Sequence, residues 1–197
     1  DLIDHLSSID GLTIIHSDVL KVDFSALSEQ FGEKLRVIGN LPYNISTPII
    51  FHLLTQLESI EDMHFMLQKE VIERMGAEPN NREYGRLSVM VQRYCEVIPL
   101  LEIPPEAFDP APKVTSQFVR LIPFKESPYR VVDESLFEQV VQAAFAMKRK
   151  MIRNNLKEYL TEEELEACGI KPTLRPENLT VADYVTLANF IAERRGE

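Results

Sequence analysis

Hydrophobic positions along this chain follow two rhythms, and the switches between them mark its elements. Val37 and Ile38 form a short apolar run that stops at Gly39-Asn40; Ile49, Ile50, Leu53, Leu54 and Leu57 then recur three and four residues apart. The run predicts a strand, and the recurrence predicts one face of a helix. Thr47 suits the N-cap of that helix, and Pro48 its first position, where a missing N–H costs nothing. Met63 to Leu67 reads as a buried strand leading through Gln68-Lys69-Glu70 into a helix with Val71, Ile72 and Met75. Gly76 to Tyr84 is rich in turn-formers and reads as an exposed loop. A helix over Gly85 to Tyr94 and a strand over Glu96 to Ile103 follow. Four prolines between Pro104 and Val114 exclude a helix and a central strand, so this stretch is a rigid loop. Ser116 to Pro123 supplies a last strand, expected to close the sheet. Upstream, Asp1 to Leu6 has the apolar spacing of an amphipathic helix, and Leu12 to His16 reads as a strand with Asp18 just past its carboxyl end, before a loop over Leu20 to Phe24.

After Pro123 the rhythm becomes helical throughout. Lys125 to Asp133 reads as a linker, and Asp133 caps a helix over Glu134 to Ala146. Thr161 and Glu164 form a capping box, and Thr180 begins a final helix carrying Val181, Tyr184, Leu187, Ala188 and Ile191. The expectation is therefore an α/β domain over residues 1–124 and an all-helical domain over 125–197. Within the second part, Phe145 to Leu156 and the residues just beyond predict a basic stripe. Placed on one continuous helix, Arg149, Lys150, Arg153 and Lys157 share an arc, with Met147, Met151, Ile152 and Tyr159 opposite.

Composition narrows the class. A chain of 197 residues with 45% hydrophobic content can bury a core, and none of its apolar runs approaches the roughly 18 residues that span a bilayer. Cys95 and Cys168 lie far apart and offer neither a disulfide framework nor metal-ligand spacing, which fits a reducing cytoplasm. His5, His16, His52 and His64 are scattered, so no metal is expected. The net charge of −10 excludes a general nucleic-acid coat, because phosphate binding needs cations. Any RNA contact is then local, and the four-cation arc is the place for it; the alternative is a solvated face paired with the acidic neighbours Glu158 and Glu162 to Glu164.

The candidate chemistry lies at Asn40-Leu41-Pro42-Tyr43. The Asn40 amide oxygen and the Leu41 carbonyl can together accept the two in-plane hydrogens of an exocyclic amine, while Tyr43 stacks on the ring that carries it. Such a pocket suits an adenine flipped out of its stack. In open α/β sheets ligands sit beyond the carboxyl ends of the strands, where this turn falls. The stretch NLPYNISTPIIFHLL resembles the catalytic segment of the rRNA adenine N6,N6-dimethyltransferases, and Phe108 to Ser116 carries that family's Phe-x-Pro-x-Pro-x-Val-x-Ser pattern.

The resemblance covers essentially the whole chain. It implies a Rossmann-like class I fold dependent on S-adenosylmethionine, a helical C-terminal domain, and dimethylation of two adjacent adenines near the 3′ end of 16S rRNA during ribosome biogenesis. It implies catalytic roles for Asn40, Leu41, Pro42 and Tyr43, with Phe108 as the second face of an aromatic sandwich. The pattern His16-Ser17-Asp18-Val19-Leu20 implies cofactor contacts at Asp18 and Val19 beside Asn40, the Asp18 carboxylate accepting from the cofactor's adenine. The basic helix is implied to engage the small ribosomal subunit through Arg149, Lys150, Arg153 and Lys157, with the enzyme acting as a cytoplasmic monomer. The family's glycine-rich methyl-donor loop has no counterpart among the seven glycines, none of which forms Gly-x-Gly, so an N-terminally incomplete chain, inactive by itself, is expected. Two rivals stand beside this reading: a 23S rRNA adenine methyltransferase of the resistance type, and a non-catalytic assembly factor using the same surface.

Overall fold

A computed structural model describes residues 2–196; Asp1, placed in the first helix by its sequence, lies outside the described residues. The chain forms helix α1 (Leu2–Ser7), α2 (Phe24–Phe31), strand β1 (Leu35–Asn40), α3 (Ser46–Leu54), β2 (Ile60–Gln68), α4 (Lys69–Gly76), α5 (Arg86–Tyr94), β3 (Cys95–Ile103) and β4 (Ser116–Pro123). Helices α6 (Glu134–Ala146), α7 (Ile152–Asn155), α8 (Glu162–Ala167) and α9 (Val181–Arg195) complete it. The sheet has the order β1-β2-β4-β3; β1 and β2 are parallel, and β4 is antiparallel to both of its neighbours. Its last strand in sequence thus lies between β2 and β3 rather than closing the sheet at an edge. β4 pairs along both of its edges, with Met63–Gln68 of β2 on one side and with β3 on the other.

Alternation along the strands buries Phe65, Leu67, Val119 and Leu121, which join Ile50, Leu53, Ile72, Met75 and Val89 of the helices in one cluster. Burying each such large side chain contributes about 1.5–3 kcal/mol. The same cluster runs on through Leu136, Phe137, Val140, Tyr184 and Leu187 of α6 and α9. Polar ties cross with it: the buried Tyr84 hydroxyl donates to the Leu179 carbonyl at 2.7 Å, and the buried Arg93 guanidinium pairs with Glu134. Asp62, 2% exposed on β2, accepts from Arg36 of β1 at 2.7 Å and from Arg120 of β4 at 3.1 Å, so one carboxylate laces three strands together.

Several local expectations change. Leu12 to His16 forms no strand; it runs as irregular backbone, because a strand exists only by pairing and no described strand lies against it. Residues 24–31, unassigned from the sequence beyond the loop ending at Phe24, are α2, capped by Asp23 on the Ala26 N–H and stopped by Gly32 at φ 74°. Helix α3 starts at Ser46, with Ile45 rather than Thr47 at the N-cap; Leu57 belongs to the following 3-10 turn. The caps by Asp133, Thr161 and Thr180 are as expected.

The basic stretch is not one helix. Helix α6 ends at Ala146, a turn occupies Met147 to Lys150, and α7 is a separate short helix. The physical reason is long-range. The Asn155 amide donates to the carbonyls of Ala144 and Met147 at 2.8 and 2.9 Å, satisfying the end of α6, while Ile152 is fully buried and its N–H bonds the Leu174 carbonyl. The common arc dissolves accordingly.

Candidate active site

The turn after β1 is held by its backbone and by one apolar anchor. The Leu41 N–H donates to the Met66 carbonyl at 3.2 Å, extending the β1–β2 pairing by one residue, and the Leu41 side chain is buried. Gly39 makes room for it: a Cβ there would stand 3.3 Å from the Leu41 side chain. Two acceptors remain. Neither the Asn40 side chain nor the Leu41 carbonyl has a hydrogen-bond partner among the described residues, and Asn40 is exposed at the carboxyl end of its strand. They are adjacent, polar and available.

Tyr43 is held at both ends. Its carbonyl accepts from the Ser46 hydroxyl at 3.2 Å, and its own hydroxyl lies 3.0 Å from that of Ser116, the first residue of β4. The residue is 42% exposed. Ser116 follows directly on the Phe108 loop, so a side-chain contact joins the Asn40 turn to the strand that this loop enters. Phe108 is half-buried after a 3-10 turn over Pro105–Ala107, and its ring forms no direct aromatic pair with Tyr43. Nothing in the single residues marked Ser46 or Ser116 as supports; the only trace of Ser116 was its place at the end of the proline pattern.

Asp18 is exposed and caps the 3-10 turn Val19–Lys21, one carboxylate oxygen accepting from the Leu20 N–H at 3.0 Å. This turn is moored to α3: His52 Nε2 stands 3.0 Å from the Val22 carbonyl, and the Gln56 side-chain carbonyl accepts from the Phe24 N–H. Asp18 and Val19 therefore sit on a segment fastened to the helix that the Asn40 turn feeds. The second Asp18 oxygen has no protein partner among the described residues.

Arg149, Lys150, Arg153 and Lys157 are all exposed, spread over the turn, α7 and the residues after it. Arg153 is paired with Glu162 at 3.0 Å. Lys148, absent from the expected arc, donates to the Arg82 carbonyl at 2.8 Å and ties the connection after α4 to this turn; that stretch is not the wholly exposed loop expected, since Gly76 ends α4 and Ala77 and Tyr84 are buried in the core.

Comparisons place this arrangement. The description "Ribosomal RNA adenine dimethylase" matches residues 2–193. Ribosomal RNA small subunit methyltransferase A of Pectobacterium atrosepticum is 54% identical over 189 residues, covering 96% of this chain and 70% of the relative. Its namesake in Yersinia pestis is 53% identical over 191 residues, covering 97% and 70%. Among solved structures, a dimethyladenosine transferase from Plasmodium falciparum superposes with a TM-score of 0.76 at 24% identity, covering 96% of this chain and 75% of that one. The 23S rRNA methyltransferase ErmE gives 0.66 at 21% identity, covering 97% and 76%. At those identities the two structures speak for the Rossmann-like methyltransferase fold alone. With the match running from Leu2 to Glu193 and the relatives above half identity, the chain belongs to the ribosomal RNA adenine dimethylase family.

Proposed function

We propose that this protein transfers methyl groups to the N6 nitrogen of adjacent adenines in small-subunit 16S rRNA during ribosome biogenesis in the cytoplasm. The observation that carries the reading is the pair of unpartnered acceptors at Asn40 and Leu41, set beside a ring that is braced but open. An amino group offers two in-plane donors, and this pair of acceptors matches them in number. Accepting from N6 draws its lone pair out of conjugation with the base and aims it away from the ring plane. Tyr43 stacks on one face of the base, and Phe108, carried on its stiff loop, closes the other. Lone-pair aim and ring clamping are orientation effects, which supply up to about 7–11 kcal/mol in favourable cases. The family resemblance favours the small-subunit substrate over the 23S target, since the relatives above half identity carry the small-subunit name.

What supports a site for the adenosyl end of S-adenosylmethionine is a free carboxylate oxygen on Asp18, able to accept from an amino group, with Val19 beside it on a segment tied to His52 of α3; Asn40 is assigned to the same cofactor by the family resemblance. When bound, that cofactor supplies a sulfonium methyl electrophilic enough that no general base is needed on the enzyme. The exposed cations Arg149, Lys150, Arg153 and Lys157 meet rRNA phosphates, and the helical residues 125–197 form the RNA-binding part of a monomer. The test is incorporation of labelled methyl into purified unmethylated small subunits by a protein that carries this chain at the full length of its relatives, with nuclease mapping of the product. Dimethyladenosine at adjacent positions is expected. Binding to subunits without any methyl transfer selects the assembly-factor reading instead.

A further inference from the structure

The Tyr43 and Ser116 hydroxyls stand 3.0 Å apart and join a partly exposed tyrosine to a fully buried serine. Ser116 is fully buried, and its backbone pairs with Gln68 of β2 on one side and Ile103 of β3 on the other. The preceding carbonyl, of Thr115, accepts from the Lys69 N–H at 3.0 Å. Ser116 is thus held by strand pairing on both sides. Tyr43, in contrast, lies on a turn whose ring is partly exposed and would otherwise rotate about its side-chain bonds. Its hydroxyl reaches across the sheet's carboxyl edge to that fixed hydroxyl, while Ser46 holds the carbonyl at the other end.

We propose that Ser116 is a positioning residue for adenine transfer: its hydroxyl fixes the plane of the Tyr43 ring and couples that ring to the Phe108 loop, which Ser116 terminates. This rests on the reading that Tyr43 stacks on the target base. Ser116 touches neither base nor cofactor in this account; it acts through Tyr43. The hydroxyl pair ties the turn carrying Tyr43 to the first residue of β4, the strand into which the Phe108 loop runs. Loss of the pair leaves both rings in place but free to tilt. Misplacement on the scale of an ångström costs up to about a hundredfold in rate.

The experiment compares Ser116→Ala, Tyr43→Phe, the double variant and Ser116→Thr, each in protein labelled with 3-fluorotyrosine. The chain has six tyrosines, so the fluorine spectrum is small enough to assign Tyr43 by its loss in Tyr43→Phe. Ser116→Ala is expected to shift and narrow the Tyr43 resonance, and Ser116→Thr to return it toward the parent position. In methyl transfer, Ser116→Ala and Tyr43→Phe should each lower kcat about tenfold to a hundredfold with KM for the subunit little changed. The double variant should be no worse than either single one, as expected for two halves of one interaction. An unmoved resonance, or losses that multiply in the double variant, overturns the proposal. All variants are made in a protein that carries this chain at the full length of its relatives. If that parent transfers no methyl while the resonance still responds to Ser116→Ala, the functional reading has failed and the adenine-positioning role falls with it, leaving a structural hydrogen bond.

Discussion

The turn over Asn40 to Asn44 and the segment from Met147 to Lys157 are both polar and largely exposed, yet the fold holds them in different ways. The turn is fastened at successive points: Leu41 to β2 and the core, Tyr43 to Ser46 and to Ser116. The basic segment is anchored from beneath by Ile152, Leu156 and the Asn155 amide, while its cations project without a common frame. Directional hydrogen bonds to a single amino group demand the first arrangement. Phosphate attraction falls off slowly with distance and tolerates the second. Rigidity in this molecule is concentrated where angles matter.

Breaking the rigid side of that comparison should have the largest effect. Asn40→Ala removes one of the two free acceptors and is expected to cost about 3 kcal/mol in ΔΔG‡, the scale of removing one preorganised polar partner from a reacting group. Subunit binding measured by filter retention should survive. Near-normal turnover would remove Asn40 from the chemistry.

On the diffuse side, replacing Arg149, Lys150 and Arg153 together by Glu should weaken RNA binding severalfold or more and leave the melting temperature nearly unchanged. The slope of log K against log salt should fall by roughly 0.7–0.9 for each phosphate that the variant no longer neutralises. Since the three cations share no helix face, their single reversals should act in small, separate steps; dominance by one residue would show a more ordered site than the fold displays.

A third expectation concerns the frame beneath the turn. The hydrogen bond from Arg36 holds the Asp62 carboxyl below its ordinary range, against the opposing effect of burial and with further help from Arg120. A carboxyl group whose folded pKa is depressed contributes stability that is fully present above its unfolded value, about 3.9, and is lost as pH falls through the folded one. Asp62→Asn should therefore cost about 1.5 kcal/mol near neutral pH. The gap between variant and parent in denaturant melts should close in acid below that value. A gap independent of pH would assign the cost to packing.

The smallest effect sharpens the same point. Gly39→Ala would press a methyl group against the Leu41 side chain at 3.3 Å, so that side chain must yield by a few tenths of an ångström. A stability loss of about 1 kcal/mol is expected, at the low end for overpacking. Turnover should fall by more than that loss implies, because Leu41 also carries one of the acceptors. Unchanged kcat would show that the turn absorbs the strain.

What could be read from the residues follows the range of the interactions involved. Asp133, Thr161 and Thr180 cap the helices they precede because a cap bonds an N–H two or three residues on, within one sequence window. The strand at Met63 to Leu67 and the helix after Lys69 follow from periodicity for the same reason. Asp23 and Gly32 bracket α2 with equally local signals. The basic helix failed because its end depends on Asn155 folding back onto Ala144 and Met147, an interaction that no helical wheel contains.

The sequence by itself determined the strand, turn and helix around Asn40, the stiffness of the proline loop and the family to which both belong, since these rest on short-range sterics and on a specific string of residues. Tertiary structure alone decided that β4 lies between β2 and β3, that Leu12 to His16 pairs with nothing described, and that Ser116 meets Tyr43 across 73 positions of chain. Those outcomes depend on which distant backbones find one another in a common core. That choice is made by the total surface buried and the hydrogen bonds left to satisfy, quantities that belong to the whole chain and to no window of it.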